Sequence, residues 1–406
     1  MSERRDYETS HPWLTFKLDA SRIPAPVWIL LGEARSKCEH LAGVPLQPAT
    51  AKSLSQVFLV KGVRATTAIE GNTLSEEQIR AQVEGTLKLP PSKQYQAQEV
   101  QNILDAYNSL WKELADGTPV TLTVERILQW NAMVLRNLET APEVQPGQVS
   151  AHSVGVMGYR GAPAKDCAYL LGQLVEWLNT PAFQPAPEYA VIQPILAAIM
   201  AHLYLAWIHP FGDGNGRTAR LVEFTILVLG GVPMPAAHLL SNHYNETRSE
   251  YYRQLDMASR TGGDVIPFIR YAVQGLVDGL RDQINVVRSQ QVNVAWTSYI
   301  HERMRGAGGG AAIVKRRRDL ILEMSNHPQR EQPRTLEEIS LLSPTMAKIY
   351  ADRTHKTLRR DINELKNLGL VIASEPGRWK PNVDIIAAFL PARHVPAMPT
   401  PEIRRE

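Results

Sequence analysis

Apolar residues return every three to four positions over most of the stretch from about Ile23 to Asn108, with few β-branched runs, and this pattern predicts helices. Within it Ile79, Val83 and Leu87 recur every four residues. Ser75 followed by Glu77 and Gln78 predicts a helix start, and Pro90 with Pro91 divides the region into segments. A second helical stretch is expected over roughly Val124 to Leu138. From Pro142 to Pro163 the composition shifts to Gly, Pro, Ser and Val, where Val154, Val156 and Tyr159 among glycines predict a short β-hairpin. Helical spacing resumes near Tyr169 and continues through an apolar helix ending at Ile208. Another follows from Arg217 to Leu229, ended by Gly230, Gly231, Pro233 and Pro235. Helices from Thr247 to Arg260 and from Val265 to about Met304 complete the series.

Gly306 to Gly310, GAGGG, reads as a linker. Beyond it, Ile313 to Met324 is one expected helix, and Thr335 with Glu338 is a capping box that opens a second, short one. A third, near Thr354 to Leu368, carries Leu358, Ile362, Leu365 and Leu368 on one face and Lys356, Arg359, Arg360, Asn363 and Lys366 on the other. A strand from Leu370 to Ala373, a Glu375-Pro376-Gly377 turn and Arg378-Trp379-Lys380 follow. Three helices and a two-stranded wing are the order of a winged helix-turn-helix.

The length of 406 residues points to two or three units, and 44% apolar with 21% charged residues is the balance of a soluble globular protein. The net charge of +3 is unevenly placed: Lys315 to Lys380 holds 14 Lys/Arg against 9 Asp/Glu, a net of +5, the residues beyond balance, and those before net −2. This basic segment makes DNA or protein contact through the winged helix a candidate. Two cysteines form neither a disulfide framework nor a CxxC pattern, and the polar start MSERRDYETS lacks an apolar signal run; a cytoplasmic protein is expected. The apolar run Val191 to Ile208 contains Gln193, Pro194 and His202, which fits a buried core helix and not a membrane span.

The candidate chemistry lies in His209 to Arg220, HPFGDGNGRTAR. A helix delivers His209 at its C-terminal end, and Pro210 stops that helix. Gly212, Gly214 and Gly216 alternate with other residues, so that successive backbone N–H groups can turn inward as an anion nest. A helix beginning near Arg217 aims its N-terminal dipole at the same place, and Arg217 and Arg220, three residues apart, share a face. The result is a phosphate site, with Asp213 available to hold Mg²⁺. No Gly-Lys-Ser/Thr follows, as a Walker A loop requires; no strand precedes, as a dinucleotide fingerprint requires; an EF-hand fails at Arg217 and Phe224.

These residues resemble the Fic family (filamentation induced by cAMP), whose signature HPFx(D/E)GNGRxxR is matched at every fixed position. The resemblance extends over roughly residues 20 to 280, through AHLYLAWIHPF with His202, Arg248 with Tyr251-Tyr252, and GDVIPFIRYA. It implies transfer of AMP from ATP to a Tyr, Thr or Ser hydroxyl of a target protein, which can be the chain itself. His209 would be the general base and Asp213 the Mg²⁺ ligand. Gly214, Asn215 and Gly216 would cradle the α- and β-phosphates, Arg217 would contact the β-phosphate, and Arg220 the γ-phosphate. The hairpin at Val156, Met157, Gly158 and Tyr159 resembles the family's flap, which holds the target segment as an added strand. Upstream, Pro146-Gly147 leads to Gln148-Val149-Ser150, a departure from the aromatic and Arg often found there. Tyr252 resembles an adenine-side residue, with a packed core tyrosine as the other reading.

Thr66 to Gly71, TTAIEG, resembles the family's inhibitory motif (S/T)xxxE(G/N). Four-residue spacing places Thr66 and Glu70 on one helical face. The resemblance implies that Glu70 pairs with Arg220 and misplaces the γ-phosphate, so that inhibition acts in cis. Three other readings stay open: removal of AMP with Glu70 orienting a water, transfer of another group from a CDP or UDP conjugate, and a DNA-binding regulator with a Fic sensor.

The expected architecture is therefore mainly α: a Fic-type helical bundle with a short β-hairpin flap, plus a small C-terminal winged helix-turn-helix. Its expected divisions are 1–110 with the inhibitory motif, 111–280 as the catalytic core, 281–312 as helix and linker, 313–382 as the winged helix, and 383–406 as a tail. A homodimer is a further expectation.

Overall fold

Prolines and hydroxyl caps fix where many of the helices begin. The computed structural model describes residues 4–156, 159–183 and 189–387. After α1 (Tyr7–Ser10), α2 (Ala25–Gly43) and α3 (Pro48–Ala68) each carry a proline in the first turn, where no intrahelical N–H is needed. Ser75 and Gln78 form a reciprocal capping box at α4 (Glu76–Val83). Then come α5 (Gln94–Ala115) and α6 (Val124–Val134), which the Thr123 hydroxyl caps. Helix α6 ends four residues short of the expected Leu138, and Asn137 just beyond it holds the left-handed φ of 58° that stops a helix.

Strands β1 (Gly155–Val156) and β2 (Tyr159–Arg160) pair antiparallel, Gly155 with Arg160 and Val156 with Tyr159. Met157 and Gly158 of the expected flap lie outside the described residues. Helices α7 (Ala164–Leu178), α8 (Ile192–Ile208), α9 (Asn215–Leu229), α10 (Met234–Ala237), α11 (Leu239–Glu246), α12 (Arg248–Arg260) and α13 (Ile266–Arg305) follow.

The apolar helix α8 is central. Fifteen of its 17 residues are buried because α2, α7, α9 and α12 pack around it, which explains why it is apolar on every side. Among the described residues no helix is long and apolar enough to cross a membrane.

The chain divides into two compact units, Met1–Asn285 and Val286–Glu406. The boundary falls inside α13, upstream of the glycine-rich stretch, since Trp296, Ile300 and Met304 belong to the core of the second unit. That unit continues through α14 (Ala311–Asn326), α15 (Leu336–Ser340), α16 (Pro344–Tyr350) and α17 (His355–Asn367). The antiparallel strands β3 (Val371–Glu375) and β4 (Arg378–Pro381) follow, and then the short α18 (Asp384–Ala387). Helix α16 is only seven residues long, too short for its Met346, Ile349 and Tyr350 to stand out as a period, and the sequence pattern missed it. Ser343 caps it and Pro344 opens it.

Candidate active site

Helix α8 ends at Ile208, and His209 leaves it in a left-handed conformation, φ 51° and ψ 57°, with its N–H donating to the Leu205 carbonyl at 3.0 Å. A β-carbon in that region costs on the order of 1 kcal/mol, so the surroundings must impose it. They do so from the hairpin side. The Ser150 N–H donates to the Pro210 carbonyl at 2.8 Å, the Ala162 N–H to the Ile208 carbonyl at 3.1 Å, and the Tyr159 hydroxyl to the Trp207 carbonyl at 2.8 Å. At Gly161 a side chain is excluded, because a Cβ there would lie 2.6 Å from the His209 Cβ. The His209 ring is partly buried and lines a cleft, and its Nδ1 has no hydrogen-bond partner among the described residues. Burial pushes its pKa down; the Ala206 carbonyl and the Glu70 carboxylate oppose this without cancelling it. The ring is neutral near pH 7 and able to accept a proton.

The loop beyond is closed by its own asparagine. Asn215 accepts from the Phe211 N–H at 2.9 Å through Oδ1 and donates to the Phe211 carbonyl at 2.7 Å through Nδ2. This commits the side chain to the loop and leaves only the Asn215 main chain for a phosphate. From α6, Asn131 donates to the Asp213 carbonyl at 3.0 Å and accepts from the Gly147 N–H at 2.9 Å, which ties the loop to a second segment. Gly214 adopts φ 76°, and a Cβ there would come within 3.1 Å of the Asn131 amide. Helix α9 starts at Asn215, two residues before the expected Arg217, and its first main-chain helical bond runs from the Thr218 N–H to the Gly214 carbonyl at 2.9 Å. The N–H groups of Asn215, Gly216 and Arg217 therefore have no intrahelical acceptor, and the positive end of the helix dipole lies there.

Asn215→Ala is expected to lower the unfolding free energy by about 2–4 kcal/mol, since two buried main-chain groups lose their partner. Denaturant titration reads this directly, and an unchanged midpoint would show that the loop closes without it.

Both arginines of α9 are held by carboxylates. Arg220, buried, donates to the Glu70 carboxylate at 2.5 Å and to the Thr66 carbonyl at 3.0 Å. Thr66 thus acts through its main chain. Arg217 donates to Glu99 at 2.9 Å and to Asp213 at 3.1 Å. The other oxygen of Glu99 accepts from the Asn72 amide at 2.9 Å, so that one carboxylate of α5 joins Arg217 to the turn that carries Glu70. Sequence reading missed Glu99, Asn72 and Asn131 as site residues; none belongs to a motif.

Glu70 lies just past the end of the helix that carries Thr66, and both meet the same Arg220 nitrogen. Helix α3 ends at Ala68, and Glu70 occupies the turn beyond it, closed by the Gly71 N–H to the Ala68 carbonyl at 2.9 Å and the Asn72 N–H to the Thr67 carbonyl at 3.2 Å. These are the two bonds of a Schellman cap, and Gly71 supplies the required positive φ of 99°. The cap sets the Glu70 carboxylate over the start of α9, where a Cβ on Gly216 would lie 2.2 Å from it. Burial pushes the Glu70 pKa up, but the charge and hydrogen bond of Arg220, with Arg217 and Arg248 behind, outweigh it and hold the carboxyl below its ordinary range.

A cleft of about 370 Å³ brings together His209, Asn215, Gly216, Arg220, Glu70 and Tyr252. Asp213, Gly214 and Arg217 are not part of its lining. The Tyr252 ring forms a wall, half-buried, with its hydroxyl 3.5 Å from the Ile69 carbonyl. His202 and Tyr251 also border the cleft, and His202 bonds the Tyr251 hydroxyl at 2.8 Å, which is a packing role. Asp213 is about half exposed; Oδ1 is engaged by the Gly214 N–H and Arg217, which leaves Oδ2 for a cation. Among the described residues no group of three or more His, Cys, Asp or Glu side chains could hold a metal, so Mg²⁺ here would need phosphate oxygens and water to complete its shell.

Comparison with known proteins agrees with this geometry. Residues 121–227 match the Fic/DOC family. The protein adenylyltransferases fic-1 of Caenorhabditis briggsae and Caenorhabditis elegans are each 31% identical over 229 residues, 56% of this chain and 42% of theirs. The chain thus spans less than half the length of these curated relatives. The structure of Fic-1 (residues 134–508) from C. elegans superposes with a TM-score of 0.54 at 27% identity, over 65% of this chain and 74% of that one. A Fic family protein from Desulfovibrio desulfuricans G20 shares the fold over 90% of this chain and 98% of its own, TM-score 0.55 at 20% identity. Residues 121–227 thus match a Fic/DOC domain, and the chain is similar to Fic-family proteins beyond it.

Proposed function

We propose that this protein is an adenylyltransferase that moves AMP from ATP to the hydroxyl of a protein side chain, its own included, and that Glu70 holds it in check. The observation that carries this reading is the shared cleft. A neutral imidazole, the open N-terminus of α9 and a buried arginine converge there, and a carboxylate occupies the arginine.

In the proposed reaction the target hydroxyl oxygen attacks the α-phosphorus, forming one P–O bond as the bond to the β-phosphate oxygen breaks. Its proton passes to His209 Nε2, and pyrophosphate leaves. The N–H groups at the start of α9 neutralise charge developing on the phosphates. Arg217, oriented by Glu99, is assigned to the β-phosphate, and Arg220 to the γ-phosphate once Glu70 moves away. Mg²⁺ held by Asp213 Oδ2 would supply further neutralisation of the α- and β-phosphates. Strands β1 and β2, fastened to the end of α8, would present the target segment beside His209, and Tyr252 would flank the adenine.

The decisive experiment supplies labelled ATP and host lysate to the wild type, Glu70→Gly and Glu70→Gly/His209→Ala. Labelled protein bands that depend on His209 are expected, strongest in Glu70→Gly. Label from ATP that is independent of His209 would overturn the reading. The reverse reaction, in which Glu70 orients a water to release AMP, is separated by supplying an already modified target: a wild type that removes the label faster than Glu70→Gly favours it.

Asp213→Ala is expected to raise the Mg²⁺ concentration for half-maximal transfer at least about tenfold, since one charged ligand contact of about 1.5–3 kcal/mol is lost. Transfer that persists in EDTA would remove Asp213 from this role.

A further inference from the structure

The second unit carries a net positive charge, and two groups among its cations differ in their partners. Arg316 and Arg317 are bound to Asp361 at 2.7 and 3.0 Å, Arg330 and Lys380 lie within 3.7 and 3.2 Å of Glu331, and Arg378 lies 3.4 Å from Glu338. The acid at the centre of this set is spent internally. Asp361 is buried on α17, where the Tyr350 hydroxyl also donates to it at 3.0 Å, so it gives α17 no outward negative charge.

The second group sits on the opposite face of the same helix. Lys356, Arg359, Arg360 and Lys366 are exposed and pair with no carboxylate among the described residues. At α-helical spacing they fall within an arc of roughly 120°, with exposed Asn363 near its centre. The one other acid of the helix, Glu364, lies outside this arc and faces Arg317 at 3.8 Å. Leu358, Ile362 and Leu365 are buried on the inner side and anchor α17 in the unit's core. Chance solvation would intersperse signs along an exposed helix face; here four cations stand together without an acid between them.

We propose that this face of α17 binds duplex DNA. A row of unpaired Lys and Arg on a rigid helix matches a row of phosphates, and release of condensed counterions drives such contacts. A B-form major groove, about 12 Å wide, admits an α-helix, whereas the deep, narrow major groove of A-form RNA does not. Asn363 then faces the base edges, where a carboxamide pairs with adenine. This site is independent of the AMP-transfer reading.

The test uses the full chain and a short mixed-sequence DNA duplex, with affinity measured by fluorescence anisotropy across salt concentrations. Four phosphate contacts are expected to give a slope of log K against log salt of about −3 to −4. The variant K356A/R359A/R360A/K366A is expected to lose at least about tenfold in affinity at about 0.1 M salt and most of the slope. Because all four side chains are exposed, its circular dichroism is expected to match the wild type; Arg359→Glu alone is expected to weaken binding as well. No binding, binding independent of salt, equal binding by the quadruple variant, or equal affinity for an RNA duplex would each overturn the proposal, and the face would then serve a protein partner or simply solvent.

Discussion

In a Glu70→Gly background, His209→Ala is expected to lower AMP transfer by about 10²–10⁴-fold while leaving ATP affinity and stability nearly unchanged. The background matters because the wild-type rate is expected to be low already. Little stability is at stake, for the ring is only partly buried and its Nδ1 makes no hydrogen bond, so that alanine orphans nothing. Alanine also carries the same cost of about 1 kcal/mol at the left-handed position as histidine does. ATP is expected to bind as before, because the main-chain N–H groups of α9 and Arg220 remain. The pH profile provides a second readout. Burial depresses the His209 pKa, so the neutral, proton-accepting form persists below the ordinary imidazole value. The acid limb of transfer is therefore expected below about pH 6.5, and it vanishes with His209. A variant that transfers at the parent rate, or an acid limb that survives it, would show that another group takes the proton.

Glu70→Gly is expected to raise transfer by ten- to a thousandfold over the wild type. The guanidinium of Arg220 matches one bidentate partner at a time, and Glu70 already engages it at 2.5 Å. A γ-phosphate that cannot reach Arg220 leaves the α-phosphorus out of line with the attacking oxygen, and a misplacement of about 1 Å costs on the order of a hundredfold. The same substitution has a price in stability. Arg220 is buried and would keep only the Thr66 carbonyl, but the Glu70 side chain is 32% exposed, so water offsets part of the loss. A destabilisation of about 1–3 kcal/mol is expected, below the full cost of breaking a buried pair. ATP is expected to restore it through the γ-phosphate, so that the thermal shift on adding ATP exceeds that of the wild type. Arg220→Ala is not expected to mimic release, because it removes the γ-phosphate contact together with the brake. If Glu70→Gly labels no faster than the wild type, Glu70 is not a brake.

What the sequence determined alone is what main-chain chemistry settles locally. Pro210 ends a helix wherever it stands, and alternating glycines free a loop to turn its N–H groups inward. Ser75 with Gln78 and Thr335 with Glu338 announce helix starts within four residues. The apolar run before His209 identifies the central helix because four neighbours leave it no polar side. Its resemblance to Fic proteins was legible for the same reason: the signature occupies twelve consecutive positions, His209 to Arg220.

What tertiary structure decided lies between residues far apart in sequence. Arg217 meets Glu99 across 118 positions and Arg220 meets Glu70 across 150. No period or spacing along the chain fixes which carboxylate takes which arginine. Asn131 belongs to no motif and becomes a clasp of the loop only because α6 packs on α9. Four-residue spacing related Thr66 to Glu70, but only the fold shows that both meet Arg220, Thr66 through its carbonyl and Glu70, in the cap closed by Gly71, through its carboxylate beside Gly216. In the basic segment the count of charges was visible from the start. Which cations bind Asp361, and which on α17 have no carboxylate partner among the described residues, depended on where the fold buried that one acid, because a charge taken from water must find its partner inside.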